Sequence, residues 1–384
     1  MQQHNNIRVI ISGGGTGGHI FPAIAIANAV KKILPDTEFL FVGAEGKMEM
    51  EKVPAAGYKI EGLPITGIKR EFTIGNLSFP LKLITSLSKA TKIIKQFKPD
   101  VAVGVGGYAS GPLLFVATRK NIPALIQEQN SFPGITNKLL AKRVQKICVA
   151  YDNMERFFQK EKIIKTGNPV REDILQTEGK KSEAAKYFGL DESKITLLVI
   201  GGSQGARSIN MSLLAGLKQL SESGIQVIWQ TGKPLFEKVK EEVAALNSPL
   251  FGRAVGGEAT SQIKVHDFIS SMDLAYAMCD LVVTRAGAST VSELCIVAKP
   301  AIMVPLPTAA EDHQTKNCLA LVEKNAAILI RDVDAMKQLI STALQLANDA
   351  NKREELKKNI APLALPDSAK IIAEQVIALA KGNK

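Results

Sequence analysis

Two stretches of this 384-residue chain share one design, and that repetition limits the fold more than any other feature. Val9-Ile10-Ile11 runs into Ser12-Gly13-Gly14-Gly15-Thr16-Gly17-Gly18, and Leu197-Leu198-Val199-Ile200 runs into Gly201-Gly202-Ser203-Gln204-Gly205-Ala206-Arg207. In each, an apolar strand passes through a glycine-rich turn into a helical pattern. Apolar runs at 7–11, 39–42, 101–105, 123–126 and 146–149 alternate with helical patterns, and the second half repeats the design at 196–200, 225–229, 281–283 and 300–304. Such alternation predicts parallel sheets covered by helices. The expected fold class is α/β, with two Rossmann-like domains whose parallel sheets face across a cleft. Turn residues at Thr166-Gly167-Asn168-Pro169 mark the join. Ligands of doubly wound sheets bind beyond the carboxyl ends of the strands.

Charge narrows the partners. The net charge is +11, and residues 1–170 carry all of the excess. Within 51–150 there are 15 basic and 5 acidic residues, a one-sided field that calls for an anionic partner. No nucleic-acid recognition module or arginine-rich segment is present. The stretch from Thr73 to Lys98 instead sets Leu77, Phe79, Leu81 and Leu83 before a helical pattern with Lys89, Lys92, Lys95 and Lys98 along one side. Apolar groups beside lysines suit the headgroup boundary of an anionic bilayer, or an amphipathic helix packed on its own sheet. The uncharged stretch 101–118 contains four glycines and a proline, so strand, loop and helix are expected there rather than a membrane span. The opening Met-Gln-Gln-His-Asn-Asn lacks a basic region before an apolar core, so no signal peptide is expected. Cys148, Cys279, Cys295 and Cys318 have neither disulfide nor zinc spacing and read as reduced packing residues.

The glycine turns let backbone N–H groups approach an oxygen-rich ligand, and the helix that follows adds its positive end. Gly13, Gly15 and Gly18 fit the G-x-G-x-x-G dinucleotide pattern, with Glu45 as a distant ribose candidate; no Gly-Lys-Ser/Thr for a P-loop occurs. Close packing alone accounts for one or two glycines but not for five among residues 13–18. At 282–294 a strand runs through small residues into a helix. The amides of Ala288, Ser289 and Thr290 suit a diphosphate there, and Glu293 suits vicinal hydroxyls. In the alternative reading Ser289 caps the helix, with Glu293 as its capping-box partner. Between Pro305 and Asn317, the polar groups of Asp312, His313, Gln314 and Asn317 are of the sort that read sugar hydroxyls. Asp332-Val333-Asp334 has the outline of a metal-binding Asp-x-Asp but precedes a helical run, where Asp334 reads as an N-cap.

Taken in order, Gly14–His19, Gly106–Pro112, Glu128-Gln129-Asn130, Thr166–Arg171, Gly201–Arg207, Arg285–Glu293 and Asp312–Asn317 resemble the MurG family of bacterial peptidoglycan N-acetylglucosaminyltransferases. The resemblance spans nearly the whole chain. It implies a GT-B fold divided as 1–168, 169–361 and a C-terminal helix 362–384 returning to the first domain. It also implies inverting transfer of GlcNAc from UDP-GlcNAc to the C4 hydroxyl of MurNAc in lipid I, giving lipid II at the cytoplasmic side of the plasma membrane. Contact with the anionic membrane surface would run through 69–98. No cofactor, metal or nucleic acid is implied.

Carried over by position, the donor site would use Thr16, Gly17, Gly18, Asn130, Arg171, Ser203, the backbone of Ile269 for the uracil, Ala288, Ser289, Thr290, Val291, Ser292, Glu293 and Gln314. Tyr108 and Glu128 would fall on the acceptor side. Position 313 is His where some members have a second Gln, and the tryptophan that some members place near 73–98 is missing. Inversion requires a base for the acceptor hydroxyl and charge stabilisation for departing UDP. Ala288–Thr290 with Ser203 and Arg171 would hold the diphosphate. His19 stands at a positive helix end that disfavours imidazolium, so it is the expected base or orienting group, with Glu128 as its rival. The other readings are a different GT-B glycosyltransferase acting on a glycolipid, a UDP-sugar epimerase, a dinucleotide oxidoreductase or a two-lobed solute-binding protein.

Overall fold

Seven strands of the first sheet and six of the second are all parallel, and both sheets are built on the same plan. The computed structural model describes residues 6–66, 79–202, 205–246 and 262–382. The chain divides into two units, Met1–Arg171 with Leu365–Lys384, and Glu172–Ala364.

In the first unit the strands are β1 (Arg8–Ser12), β2 (Glu38–Ala44), β3 (Ile60–Leu63), β4 (Val101–Gly104), β5 (Ala124–Glu128), β6 (Lys146–Val149) and β7 (Ile163–Lys165). Their order is β3-β2-β1-β4-β5-β6-β7. In β1, Val9, Ile10 and Ile11 are fully buried, because helices cover both faces of the sheet. On one face lies the helix Gly17–Ile33, whose Ile20, Ala23, Ile26, Ala27 and Val30 recur at helical spacing and are buried. They share a core with Ile372, Ala373, Val376 and Ala380 of the helix Ser368–Gly382. The last helix is thereby part of the first unit. On the other face the helices Phe79–Phe97, Ser110–Arg119 and Ile135–Leu140 pack side by side.

The second unit has β8 (Thr196–Ile200), β9 (Gln226–Gln230), β10 (Ile263–His266), β11 (Leu281–Thr284), β12 (Ala301–Met303) and β13 (Ile328–Leu329), in the order β10-β9-β8-β11-β12-β13. Trp229, fully buried in β9, donates its indole N–H to Asn210 Oδ1 at 2.9 Å, which satisfies its one polar group. All four cysteines are buried, and burial pushes the Cys148, Cys295 and Cys318 thiols up to about 12 and that of Cys279 to about 11. They are inert packing residues.

In each sheet the strand order reverses beside the strand that feeds the glycine turn. The reversal falls between β1 and β4 in one unit and between β8 and β11 in the other. A crevice opens at such points because the crossovers leave in opposite directions. The turns predicted to bind ligand therefore stand at the two switch points.

Candidate functional site

In the first unit, two glycine turns meet at the switch point. Val105 N donates to Ser12 O at 2.7 Å, and Ser110 Oγ donates to Ser12 O at 2.9 Å and to Gly106 O at 2.8 Å. Gly15, Gly106 and Gly107 have φ of 85°, 101° and 87°, in the region that favours glycine. A Cβ on Gly107 would overlap the backbone of Gly14. A Cβ on Gly106 would lie 2.7 Å from His19 Cε1 and Nδ1, so the imidazole rests against bare backbone. Gly13 is closed by Ala23 and Val105, and a Cβ on Gly14 would overlap Glu49. Packing therefore explains more of the glycine run than the sequence reading allowed.

Glu49 was not found from sequence. Its side chain is fully buried, with Gly15 N donating to Oε2 at 2.9 Å and Ala44 N to Oε1 at 3.0 Å. Removing a carboxylate from water costs several kcal/mol. Two charge-assisted bonds of roughly 1.5–3 kcal/mol each offset that cost, so both are needed. Glu45, the distant ribose candidate, instead pairs with Lys89 at 2.8 Å.

His19 is the third residue of its helix, with its N–H on Thr16 O at 3.1 Å. Thr16 occupies the N-cap position without a side-chain capping bond, and Gly17 and Gly18 open the helix. Tyr108 is exposed and lies over Gly15. Glu128, at the end of β5, is buried. Its Oε1 accepts from Asn130 N at 2.9 Å and Asn130 Nδ2 at 3.3 Å, and its Oε2 from Gly134 N at 3.2 Å and Asn137 Nδ2 at 2.8 Å. Burial pushes its carboxyl above the ordinary glutamate range, and these bonds pull the other way. The same loop is tied to the connector before Arg171, since Gln127 Nε2 donates to Asn168 Oδ1 at 2.7 Å and Asn168 Nδ2 to Gln129 O at 3.0 Å.

In the second unit, Gly287 and not Ser289 occupies the N-cap of the helix Ala288–Val297, without a side-chain capping bond. Ala288, Ser289 and Thr290 are its first turn, and their N–H groups are those a helix leaves without an internal acceptor. Ser289 Oγ is buried with no hydrogen-bond partner among the described residues. Val291 is buried, and Ser292 Oγ donates back to Ala288 O at 3.1 Å. Glu293 Oε2 accepts from the Tyr276 hydroxyl at 2.9 Å. The capping-box reading of Ser289 and Glu293 therefore fails. Ile269 N donates to Gln230 Oε1 at 2.9 Å, and Gln230 Nε2 to Gly202 O at 3.2 Å, tying the loop after β10 to the glycine turn after β8. Gln314 Oε1 accepts from Leu306 N at 3.0 Å, which fixes its side chain across the 305–314 loop. Ser203 lies outside the described residues, as do 69–78 of the basic-apolar stretch.

Arg285 was quoted in the sequence only as part of a motif, yet it braces this site. Its Nη1 donates to Val304 O at 2.9 Å, Pro305 O at 3.2 Å and Asp332 Oδ1 at 2.5 Å, and its Nη2 to Ser208 Oγ at 3.0 Å. Ser208 in turn donates to Asp332. Asp334 stands at the N-cap of the helix Ala335–Asn348 but makes no capping bond; it pairs with Arg331 at 2.7 Å. Both carboxylates of the Asp-x-Asp are thus engaged by guanidinium groups.

The family model of the glycosyltransferase family 28 N-terminal domain matches residues 9–149, and that of the C-terminal domain residues 196–372. A Bacteroides fragilis protein named UDP-N-acetylglucosamine--N-acetylmuramyl-(pentapeptide) pyrophosphoryl-undecaprenol N-acetylglucosamine transferase is 53% identical over 380 residues, covering 99% of this chain and 97% of its own. A Cytophaga hutchinsonii protein of the same name is 53% identical over 376 residues, covering 98% of each. The crystal structure of Acinetobacter baumannii MurG matches with a TM-score of 0.72 at 26% identity, covering 96% of this chain and 98% of that one. UDP-GlcNAc 2-epimerase from Neisseria meningitidis, bound to UDP-GlcNAc, matches with a TM-score of 0.66 at 14% identity, covering 97% and 100%, and so shares the fold. With two Rossmann-like sheets, both family 28 domains and half-identical relatives along nearly its whole length, the chain belongs to the MurG family of UDP-N-acetylglucosamine-dependent N-acetylglucosamine transferases.

Proposed function

We propose that this chain transfers GlcNAc from UDP-GlcNAc to the C4 hydroxyl of MurNAc in undecaprenyl-pyrophosphoryl-MurNAc-pentapeptide, forming lipid II with inversion at the anomeric carbon. The observation that carries the reading is 53% identity, over 99% of the chain, to a transferase named for that reaction.

His19 is the group that takes the acceptor proton or orients the hydroxyl. Its imidazole is partly exposed at a switch point, held between its helix and Gly106. Glu128 suits that task less well. Four donors occupy its two oxygens, so its work is to hold the loop carrying Asn130. The first-turn amides of Ala288–Thr290, joined by Ser289 Oγ, suit the departing diphosphate, with Arg171 and Ser203 as further donors. Glu293, steadied by Tyr276, accepts from the ribose hydroxyls. Since Ile269 N is engaged by Gln230, its carbonyl is the group left for the uracil N3–H. Gln314 is assigned to the sugar, and Thr16, Gly17 and Gly18 are assigned to the donor, as the family resemblance implies. Tyr108 lies on the acceptor side.

The membrane-facing surface is the row of helices on one face of the first sheet. Leu81, Ile84, Ile135 and Leu139 are exposed there, among the exposed Lys92, Lys95, Lys142 and Arg143. Lys89 is not part of that charge, being paired to Glu45. No helix among the described residues is long and apolar enough to cross a membrane. Peripheral attachment to an anionic cytoplasmic leaflet fits this surface.

The test is incubation with radiolabelled UDP-GlcNAc and a lipid I analogue, with and without EDTA. Labelled lipid that needs both substrates supports the reading. Conversion of labelled UDP-GlcNAc to its epimer in the absence of any lipid would favour the epimerase instead.

A further inference from the structure

The carboxylate of Glu49 lies under the first glycine turn, fully buried and bonded to the amide of Gly15 rather than open to substrate. It sits on the first residue of the helix Glu49–Ala55 and reaches back across the ends of β1 and β2. One oxygen takes the Gly15 amide and the other the Ala44 amide, at 2.9 and 3.0 Å. Space for it exists only because residues 14 and 43 lack side chains. A Cβ on Gly14 would overlap Oε1, and one on Gly43 would lie 2.5 Å from Cγ. Three glycines and a fully buried charge are therefore arranged around one contact. From Gly15 the path to the imidazole is short. Thr16 O accepts from His19 N and Ile20 N at 3.1 and 3.2 Å, and a Cβ on Gly13 would press on His19 O at 2.9 Å.

We propose that Glu49 is a positioning residue for the transfer reaction, its carboxylate fixing the Gly13–Thr16 turn so that His19 is held in one orientation against Gly106. This rests on the reading of His19 as the group that meets the acceptor hydroxyl. Glu49 touches no reacting atom, and it acts through the turn. A catalytic group displaced by about 1 Å loses on the order of a hundredfold in rate. Thr16, Gly17 and Gly18 beside this turn are assigned to the donor, but the uracil, ribose and diphosphate contacts are assigned chiefly to Ile269, Glu293 and Ala288–Thr290 of the second unit, so UDP alone is expected to bind nearly as in the parent.

The experiment compares the full chain with Glu49→Gln and Gly14→Ala. The first removes the charge, and the second pushes on the same carboxylate from the turn side while leaving Glu49 in place. In each protein kcat, KM for UDP-GlcNAc and the Kd of UDP are measured, together with the NMR signal of the His19 imidazole. The chain has four histidines, so that signal is assignable. Expected are a fall in kcat of about 100-fold, a UDP Kd within about twofold of the parent, and a shifted or broadened His19 signal beside unchanged His266 and His313. If Glu49→Gln does not fold, Gly14→Ala reads the same contact. Parent-like kcat and an unmoved His19 signal overturn the proposal, as does a loss of UDP affinity in step with kcat. Should the unmodified chain transfer no label, the functional reading falls while the His19 signal still decides the role of Glu49.

Discussion

The imidazole of His19 lies against the backbone of Gly106, so close that a Cβ at 106 would sit 2.7 Å from two of its ring atoms. The contact joins the helix after β1 to the turn after β4, the two elements that border the switch point. It packs the ring against bare backbone.

His19→Ala should therefore lower kcat by about 10²–10⁴-fold, the range for losing a general base, while the UDP Kd stays near that of the parent. Gly106→Ala should give a smaller fall in kcat by displacing the ring, and it also forces a non-glycine residue to φ 101°. Combining the two should cost little more than His19→Ala alone, since both act on one group. Steady-state kinetics with UDP calorimetry checks this, and additive losses would separate the two residues.

Arg285 joins Val304, Pro305, Asp332 and Ser208, all in the second unit. Asp332→Asn leaves the guanidinium's charge without its counterion. Because the pair is partly exposed, the loss should be about 1–3 kcal/mol rather than the larger cost of a fully buried pair. Arg285→Lys cannot reproduce the fan of four bonds. Both should raise KM for UDP-GlcNAc more than they lower kcat, measured beside thermal unfolding.

Tyr276→Phe removes the hydroxyl that donates to Glu293. A loss of about 1 kcal/mol is expected, or roughly fivefold in UDP affinity. Binding of 2′-deoxy-UDP should suffer less, because Glu293 has fewer hydroxyls to hold. Equal losses for both nucleotides would detach Tyr276 from ribose recognition.

The Glu128 carboxyl is raised by burial. The folded chain thus holds this proton more tightly than the unfolded one, so the stabilisation is present below the ordinary glutamate range and is lost as pH rises through the raised value. The melting temperature of the parent minus that of Glu128→Gln should be most favourable to the parent at the acid end. It should shrink as pH increases. A difference constant across that window would show that the group titrates alike in both states.

Leu81→Asp with Ile84→Asp, and separately Ile135→Asp with Leu139→Asp, should each weaken sedimentation with vesicles containing phosphatidylglycerol. Binding by the parent should fall with added salt, since the lysines act through a screened field. Unchanged sedimentation in both pairs would move the membrane surface elsewhere.

The nine apolar runs of the sequence all form strands, and the four strands they omit, β3, β7, β10 and β13, are the two edges of each sheet. The reason is burial. A central strand covered on both faces needs an unbroken apolar run, whereas Ile163-Ile164-Lys165 or Lys264-Val265-His266 need not be one. At the site, features local in sequence were legible: the glycine turn at 13–18 and the helix start at 288–293. Glu49 and the Arg285 brace were not, because each gains its meaning from partners tens of residues away. The alternative of Ser289 as a cap fails because Gly287, which has no side chain to signal it, ends the loop.

The first unit is assembled from two separated lengths of chain, with the helix Ser368–Gly382 filling the core beside Ile20, Ala23 and Val30. During synthesis, the nascent helix that bears His19 therefore waits, one apolar flank uncovered, while the entire second unit is made and folds. Only when residues 368–382 leave the ribosome can that flank close. A chain that stops short of residue 368 would hold the whole second unit beside a first unit whose core still lacks its last helix.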